Sequence, residues 1–122
     1  MKSIVFTDSF LESRDKLSKR DRDRLSRKVS RFALNEKGSG FSLHDLDRTD
    51  CDSSFRSARI SDDLRLILAH HGDKYILLYV GHHDDAYNWA TGKYLDRNSF
   101  GAGYLKDNVR IIEAKEEVLR HK

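Results

Sequence analysis

The sequence predicts an α+β domain: an N-terminal strand, a two-helix hairpin packed on a small antiparallel β-sheet, and a short C-terminal helix. Two patterns carry this prediction. Residues 9–33 hold apolar side chains at helical spacing, and residues 55–80 hold them in three short runs separated by polar turns. The 122 residues are enough for one hydrophobic core. The helical hairpin is the natural cover for one face of such a sheet.

The first third of the chain predicts one strand and two helices. Ile4–Phe6 is a short apolar run typical of a strand. Ser9 and Glu12 form an S-x-x-E capping box, which predicts a helix running to about Leu17. Ser18 is a second N-cap, and the helix after it has one apolar face, made by Leu25, Val29, Phe32 and Ala33. Because the joint between them is short, the two helices are expected to fold back as a hairpin.

The middle of the chain changes to the period-two pattern of β-strands. Phe55–Ile60, Leu64–Ala69 and Tyr75–Val80 are the three runs, joined by polar turns at residues 61–63 and 70–74. Strands joined by such short turns form an antiparallel meander, which we expect to be covered on one face.

The remaining segments have weaker patterns. Leu46 and its neighbours fit a further short strand. Asp84 or Asp85 is expected to cap a short helix that stops at Gly92. Residues 109–119 fit either the start of a strand or a helix, and helix propensity favours the second over their later part.

Composition excludes several classes of protein. The single cysteine excludes an internal disulfide and a cysteine-based zinc finger, and a reducing, cytoplasmic location fits it best. The longest apolar run, residues 75–80, is far shorter than the ~20 residues of a membrane-spanning helix, so no membrane partner is expected. The absence of proline excludes proline-rich linkers and recognition tails.

The net charge of +3 is unevenly distributed. Residues 14–31 hold nine basic and three acidic side chains, a local balance of +6, which leaves −3 for the rest of the chain. A helix face of one sign is typical of binding to a phosphate backbone, and the alternative is a soluble hairpin that binds nothing. The candidate nucleic-acid-binding residues are Arg20, Arg24, Arg27, Lys28, Arg31 and Arg56.

A second group of polar side chains lies where the predicted strands end. Arg59 and Arg65 flank one turn, and His82, His83 and Tyr87 follow the last strand. Such a set suits cleavage of RNA by its own 2′-hydroxyl, which needs a base, an acid and positive donors for the charge on phosphorus, with no metal or cofactor. Histidine exchanges protons near neutral pH, and arginine matches phosphate oxygens. The alternative is an exposed histidine turn, a tyrosine that anchors the core, and arginines paired with nearby aspartates.

A metal site is a weaker interpretation of the same region. Its ligands would come from His70, His71, His82, His83 and Asp84. Adjacent residues of a strand point to opposite faces, so each histidine pair offers one convenient ligand, and no spacing typical of a metal site occurs. We therefore expect no metal.

Two segments carry a family resemblance. Ala58–Leu68 is an arginine-bearing hairpin, and Tyr79–Tyr87 contains Gly-His-His-Asp-Asp-Ala-Tyr. The second resembles the Gly-His-Arg-x-x-x-Tyr ending of the RelE/ParE toxin superfamily, and it is also similar to RelE-like domains associated with UvrD-type helicases. Together with the order of the elements, these segments make residues 1–92 similar to a RelE/ParE-like domain. Residues 93–122 are an extension that we expect to pack on the same domain or to be partly helical.

The resemblance implies a bacterial toxin, neutralised in the cytoplasm by a cognate antitoxin. Members of the RelE branch cleave mRNA in the ribosomal A site without a metal ion, and members of the ParE branch inhibit DNA gyrase. The resemblance places Arg65 at the arginine that contacts the scissile phosphate and Tyr87 at the terminal tyrosine. His83 stands where many members carry arginine, and His82 where many carry histidine or lysine. The change at His83 replaces a permanent charge with a titratable one.

We therefore predict a metal-independent endoribonuclease, an mRNA interferase that inhibits translation. Arg56 and Arg59 fall where RNA-cutting members carry a pair of basic residues. Arg59 and Arg65 would hold the phosphate, His83 would act as acid or base, and Tyr87 would support it. The alternatives are a non-catalytic ParE-like gyrase inhibitor, a regulatory module that binds nucleic acid or protein, and an interaction domain whose sheet edge takes up a partner segment.

Overall fold

The computed structural model describes residues 3–34, 42–46, 49–72, 74–95 and 111–113. The elements are β1 (Ser3–Thr7), α1 (Asp8–Asp15), α2 (Lys19–Ala33), β2 (Leu43–Asp45), β3 (Phe55–Arg59), β4 (Leu64–His71), β5 (Lys74–His82), α3 (His83–Ala90) and β6 (Ile111–Glu113). The predicted α+β class, helical hairpin and short helix after the sheet are confirmed. Within these ranges, no helix is long and apolar enough to cross a membrane.

The strands form one sheet in the order β2-β3-β4-β5-β1-β6. β3, β4 and β5 are the predicted antiparallel meander. β1 pairs in parallel with β5, and β6 pairs antiparallel with β1, so the sheet as a whole is mixed. A parallel pair needs a long crossover between its strands, and here the helices and the first strands of the meander supply it.

The helical hairpin covers one face of the sheet. Ser18 caps α2 as predicted, since its Oγ accepts a hydrogen bond from the Asp21 amide at 3.2 Å. The predicted apolar face of α2 is also confirmed: Leu25, Val29 and Phe32 are buried in the core beneath the hairpin. This burial fixes which side of α2 faces solvent.

The start of α1 differs from the prediction. Its N-cap is Thr7, whose Oγ1 accepts a hydrogen bond from the Phe10 amide at 3.1 Å. Ser9 does not cap the helix, because its hydroxyl donates to the Leu78 carbonyl of the sheet at 2.5 Å. The helix ends at Asp15, two residues before the predicted end.

α3 covers the opposite face of the sheet. The sequence pattern predicts a cover on one face only, so this second cover is a difference from the prediction. Ala86 and Ala90 are fully buried there, together with Ile67 and Leu78 from the sheet and Leu95 from the segment after the helix. The sheet therefore has a core on both faces, and α3 sits over the second one.

Neither aspartate caps α3, contrary to prediction. His82 is the N-cap, and its side chain makes no capping hydrogen bond. Instead, the first amide of the helix, that of His83, donates to the Asp63 carbonyl at 3.0 Å. Asp84 and Asp85 lie in the first turn of α3, where their negative charges interact favourably with the helix dipole. The turn between β3 and β4 thus holds the start of α3.

The β4–β5 turn is tighter than the predicted turn at residues 70–74. β4 extends to His71 and β5 begins at Lys74. Gly72 has a φ of 60°, which favours glycine and lets the chain reverse in so few residues. Gly92, the predicted stop of α3, has a φ of 78° just after the helix.

Two predictions concern the edges of the sheet. Leu46 is buried but follows β2 rather than lying within it. Of residues 109–119, Ile111–Glu113 form a strand, and the others lie outside the described residues.

Candidate functional site

Three neighbouring strands bring two arginines together beside the turn at residues 61–63. Arg59 of β3 lies opposite Arg65 of β4, and Arg65 lies opposite Gly81 of β5. Residues paired across strands point to the same face. Both arginines therefore project from the face that α3 covers.

The turn itself holds the Arg65 guanidinium. Nη1 of Arg65 donates to the carbonyls of Ser61, Asp62 and Leu64, at 2.9, 3.2 and 3.1 Å. These bonds fix the plane of the group, and the chemistry of a guanidinium provides a second edge that can bind a phosphate. Arg59 forms an ion pair with the Asp62 carboxylate, and both side chains are exposed.

α3 adds an imidazole and a phenol to the same face. Tyr87 is anchored to the sheet, since its hydroxyl lies 3.2 Å from Oγ of Ser57, which shares a face of β3 with Arg59. The ring of His83 stacks on Tyr87 with centroids 4.4 Å apart. His83 is one helical turn before Tyr87, so α3 presents both on one side.

Asp84 orients the imidazole of His83. Nδ1 of His83 lies 3.2 Å from Oδ1 of Asp84. With the proton on Nδ1, this contact is a hydrogen bond that leaves Nε2 to take up a proton. The face thus contains two arginines, a phenol and an imidazole.

A β-bulge adds Tyr79 to this face. Leu78 is the extra residue of β5, opposite the step between residues 67 and 68. A bulge reverses the alternation of side chains after it, so that Tyr79 and Gly81 point toward α3. The Tyr79 ring lies over Gly81 so closely that a Cβ there would be 2.9 Å from Cε2 of the ring. Trp89 stacks on Tyr79 with centroids 5.3 Å apart.

The surroundings of Tyr79 keep its hydroxyl protonated. Burial raises the pKa of Tyr79, and the negative charge of Asp85 raises it further. The phenol therefore keeps its proton over the whole neutral range.

Side chains of α1 and of its N-cap, Thr7, secure the bulge. The hydroxyls of Thr7 and Ser9 donate to the Leu77 and Leu78 carbonyls, at 2.8 and 2.5 Å. The Val80 amide donates to Oγ of Ser13 at 3.0 Å. These bonds replace strand-to-strand pairing where β1 has ended, so the position of Tyr79 depends on α1.

A basic groove lies on the other side of the same turn. It has a volume of about 430 Å³ and runs between α2 and the turn, lined by Arg24, Arg27, Lys28, Arg31, Ile60, Ser61 and Asp62. A second groove of about 270 Å³ shares Arg24 and Ser61 with it and adds Arg20 and His82, and its lining also includes Asp21 and Asp63. We call the two together the basic groove. It gathers all the basic residues of α2 that the sequence proposed for nucleic-acid binding.

Comparison with solved structures identifies proteins with a similar fold. No family model and no curated protein matches the chain. The chain is similar to a mutant toxin from Helicobacter pylori, solved with copper bound, at 25% identity and a TM-score of 0.53, over 70% of this chain and 98% of that one. It is also similar to the DinJ–YafQ complex of E. coli (18%, TM-score 0.56, over 70% and 97%) and the RelB–RelE antitoxin–toxin complex of Methanococcus jannaschii (14%, TM-score 0.54, over 70% and 96%).

The chain has the RelE-like toxin fold. On this RelE-like fold, four of the five predicted catalytic residues lie on one face: Arg59, Arg65, His83 and Tyr87. The turn at residues 61–63 connects them, because it holds Arg65, pairs with Arg59 and receives the first amide of α3.

The structure does not bring His82 to this face. His82 lies opposite Leu64, which is buried beneath the helical hairpin, and it lines the basic groove with Arg20 and Arg24. The successive residues His82 and His83 thus lie on opposite sides of the sheet, because His82 is the last residue of β5 and His83 is the first residue of α3.

Arg56 also lies apart from the other predicted residues. It alternates with Ser57 along β3 and so faces the helical hairpin. Its Nε lies 2.9 Å from Oδ1 of Asp45, and its Nη1 donates to the carbonyls of Ser53 and Phe55, at 2.7 and 2.9 Å. These contacts tie the edge strand β2 to the sheet.

The weaker metal interpretation gains no support from the described part of the chain. There, no three histidine, cysteine, aspartate or glutamate side chains are placed to hold a metal ion. His70 and His82 lie at opposite ends of the β4–β5 pair, roughly 20 Å apart at ~3.3 Å per residue. Burial raises the pKa of the Cys51 thiol, and the charges of Asp52 and Asp50 raise it further, so little thiolate forms at neutral pH.

Two residues of this face were not singled out from the sequence. Ser57 resembles any other serine of a strand, and only its contact with Tyr87 distinguishes it. Tyr79 had one detectable signal, the glycine two residues later at Gly81, since a missing side chain there leaves room for a ring.

Proposed function

We propose that the chain is the toxin of a toxin–antitoxin pair and that it cleaves mRNA on the ribosome without a metal ion. The observation that carries this proposal is the position of Arg59, Arg65, His83 and Tyr87 on one face of a RelE-like fold. Phosphate-binding and proton-exchanging groups share that face, which is what cleavage by a 2′-hydroxyl requires.

The reaction needs two proton transfers and one displacement at phosphorus. A base removes the proton of the 2′-hydroxyl, and the 2′-oxygen attacks the adjacent phosphorus. The bond from phosphorus to the 5′-oxygen breaks, and an acid protonates that oxygen. The products are a 2′,3′-cyclic phosphate and a 5′-hydroxyl, and water is not consumed.

Each residue of the face has a role in this scheme. Arg65, held on the turn, presents its second edge to the scissile phosphate, and Arg59 turns from Asp62 to the same group. His83 exchanges a proton through Nε2 while Asp84 holds Nδ1. Tyr87 holds the imidazole by stacking and is itself anchored to Ser57.

The proposed partners follow from the same fold. The structural neighbours include toxins bound to antitoxins, in the RelB–RelE and DinJ–YafQ complexes. We propose that this chain is likewise held inactive by a cognate antitoxin, and that it acts in the cytoplasm, where its mRNA substrate is translated.

The first test is cleavage of a defined mRNA in a translation extract by wild type and Arg65→Ala. We expect wild type to cut within the reading frame. Loss of Arg65 should lower the rate about a hundredfold, since removing one donor to the transition-state charge typically costs ~10²–10³. Arg14→Ala is the matched control, because Arg14 lies on α1 and pairs weakly with its neighbour Asp15; it should cut like wild type.

Two results would contradict the proposal. One is an intact mRNA at a toxin concentration equal to that of ribosomes. The other is equal cleavage by wild type and Arg65→Ala. Inhibition of DNA gyrase supercoiling with the mRNA left intact would favour the ParE-like alternative.

A further inference from the structure

The basic groove and the proposed catalytic face are the two sides of one turn. Ser61 and Asp62 line the groove, and their carbonyls hold Nη1 of Arg65 on the opposite side. Asp62 also pairs with Arg59. A ligand in the groove therefore lies next to the turn that positions both arginines of the catalytic face.

One wall of the groove is a stripe of cations. The basic side chains of α2 recur at intervals of three and four residues, which places them on one side of the helix: Arg20, Arg24, Arg27, Lys28 and Arg31. The opposite wall, formed by the turn, adds Ile60, Ser61 and Asp62. A row of cations along a helix matches the regular charges of a phosphate backbone, and the arginine fork matches the oxygens of each phosphate.

We infer that the basic groove binds the backbone of the same single-stranded RNA that the catalytic face cuts, at phosphates beyond the scissile one. This inference rests on the proposed function, because it assigns the strand in the groove to the substrate. Its consequence is a length requirement: an RNA that passes over the turn engages both sides, whereas a very short one engages the catalytic face alone. Groove residues then contribute to substrate binding and leave the chemical step unchanged.

RNA is favoured over an acidic peptide as the occupant. Two further arginines, Arg59 and Arg65, lie on the far side of the same turn, so cationic side chains occur on both sides of it. A nucleic-acid backbone carries one charge per nucleotide and can contact cationic side chains on both sides. Binding of an acidic peptide is measured in the test below as the alternative.

The test measures binding of an RNA that cannot be cut. A labelled 12-nucleotide RNA with 2′-O-methyl groups throughout, and its 3-nucleotide counterpart, are titrated with the full chain by fluorescence anisotropy at several salt concentrations. The groove variant is Arg24→Ala, Arg27→Ala, Lys28→Ala. The charge-matched control is Arg14→Ala, Lys16→Ala, Lys19→Ala, whose three positions lie outside the basic groove. Unfolding midpoints verify that both variants are folded.

We expect the groove variant to bind the 12-nucleotide RNA about tenfold more weakly, and its salt slope to fall by about 2, since each contact with a single strand contributes ~0.7. The control should lose about twofold or less, and the 3-nucleotide RNA should bind both variants alike. Equal losses in the two variants would overturn the inference, because they would show a general charge effect. A groove variant that keeps its RNA affinity but loses affinity for a poly-glutamate peptide would also overturn it, in favour of a protein partner.

Because the RNA in this test cannot be cut, the binding measurement is independent of catalysis, and the two proposals can be contradicted separately. Absence of mRNA cleavage with groove-dependent binding would contradict the proposed function alone. Cleavage with groove-independent binding would contradict this inference alone.

Discussion

Asp62 stands where the two cationic surfaces meet. Its carboxylate pairs with Arg59, and the residue also lines the basic groove, so under the proposed function it would compete with substrate phosphates on both sides of the turn. An exposed pair of this kind is weak, and a substrate phosphate can displace it.

The substitution Asp62→Asn should therefore improve substrate binding. We expect KM for mRNA to fall about twofold to fivefold with kcat nearly unchanged, as suits loss of one exposed competing charge. Asp15→Asn is the matched control, because Asp15 is also an exposed carboxylate beside an arginine but lies on α1, outside the basic groove. Steady-state cleavage kinetics measure KM and kcat for both variants. Equal decreases in KM would show that Asp62 acts only through net charge.

Tyr79 makes the free energy of unfolding depend on pH in the alkaline range. Its folded-state pKa lies above the ordinary value of 10.0, through burial and then Asp85. Below that ordinary pKa both states are protonated and the contribution is constant. As pH rises through and beyond 10, the unfolded state ionises first, so folding stability is lost. Tyr79→Phe should lose less stability between pH 8 and pH 11 in urea unfolding; parallel pH profiles for the two proteins would contradict the stated environment of Tyr79.

At the scale of single residues, the sequence could place some side chains and not others. Arg59 and Arg65 were predictable together, because a short turn pairs the strands that carry them. His83 and Tyr87 were predictable from their helical spacing. His82 does not lie with them, since it is the last residue of β5 and alternates with Gly81, which points toward α3.

Among the elements, the contact of α1 with the bulged strand β5 links stability to the site. The Val80 amide has its partner in Ser13, a buried hydroxyl that also donates to the Phe10 carbonyl. Without that hydroxyl, a buried amide would lose its hydrogen bond at the point where Tyr79 is turned toward α3.

Ser13→Ala should lower the free energy of unfolding by about 1–3 kcal/mol, the cost of an unsatisfied buried polar group. Ser26→Ala, an exposed site on α2, should change it by about 0.5 kcal/mol or less. Urea unfolding measures both. Similar values for the two would mean that Val80 finds another partner and that Ser13 does not secure the bulge.

Element by element, local patterns were reliable and distant pairings were not. The apolar stripe of α2 and the period-two runs of the meander are local signals, and both were confirmed. The N-cap at Thr7 was missed because Ser9 is drawn to a carbonyl of β5, almost seventy residues away in the chain. The parallel pairing of β1 with β5, the bulge, and the cover that α3 gives to the second face depend on contacts of the same kind.

For the molecule as a whole, the uneven charge of the sequence corresponds to a distinct surface of the fold. The basic segment predicted from residues 14–31 becomes a helix whose apolar stripe is buried and whose basic stripe lines a groove at the turn. The same turn carries Arg59 and Arg65, the proposed catalytic arginines, on its far side, so one short loop connects the proposed groove for substrate, those arginines and the start of α3. That arrangement is the basis of the proposed RNA cleavage.

The most direct test of RNA cleavage by the 2′-hydroxyl is the chemistry of the cut ends. Ribosomes programmed with an end-labelled mRNA are treated with the purified chain, and the termini are identified, alongside an mRNA with a single 2′-deoxy nucleotide at the cut site. We expect a 2′,3′-cyclic phosphate and a 5′-hydroxyl, and no cut at the 2′-deoxy position. A 3′-hydroxyl with a 5′-phosphate, or equal cutting of the 2′-deoxy mRNA, would contradict the mechanism.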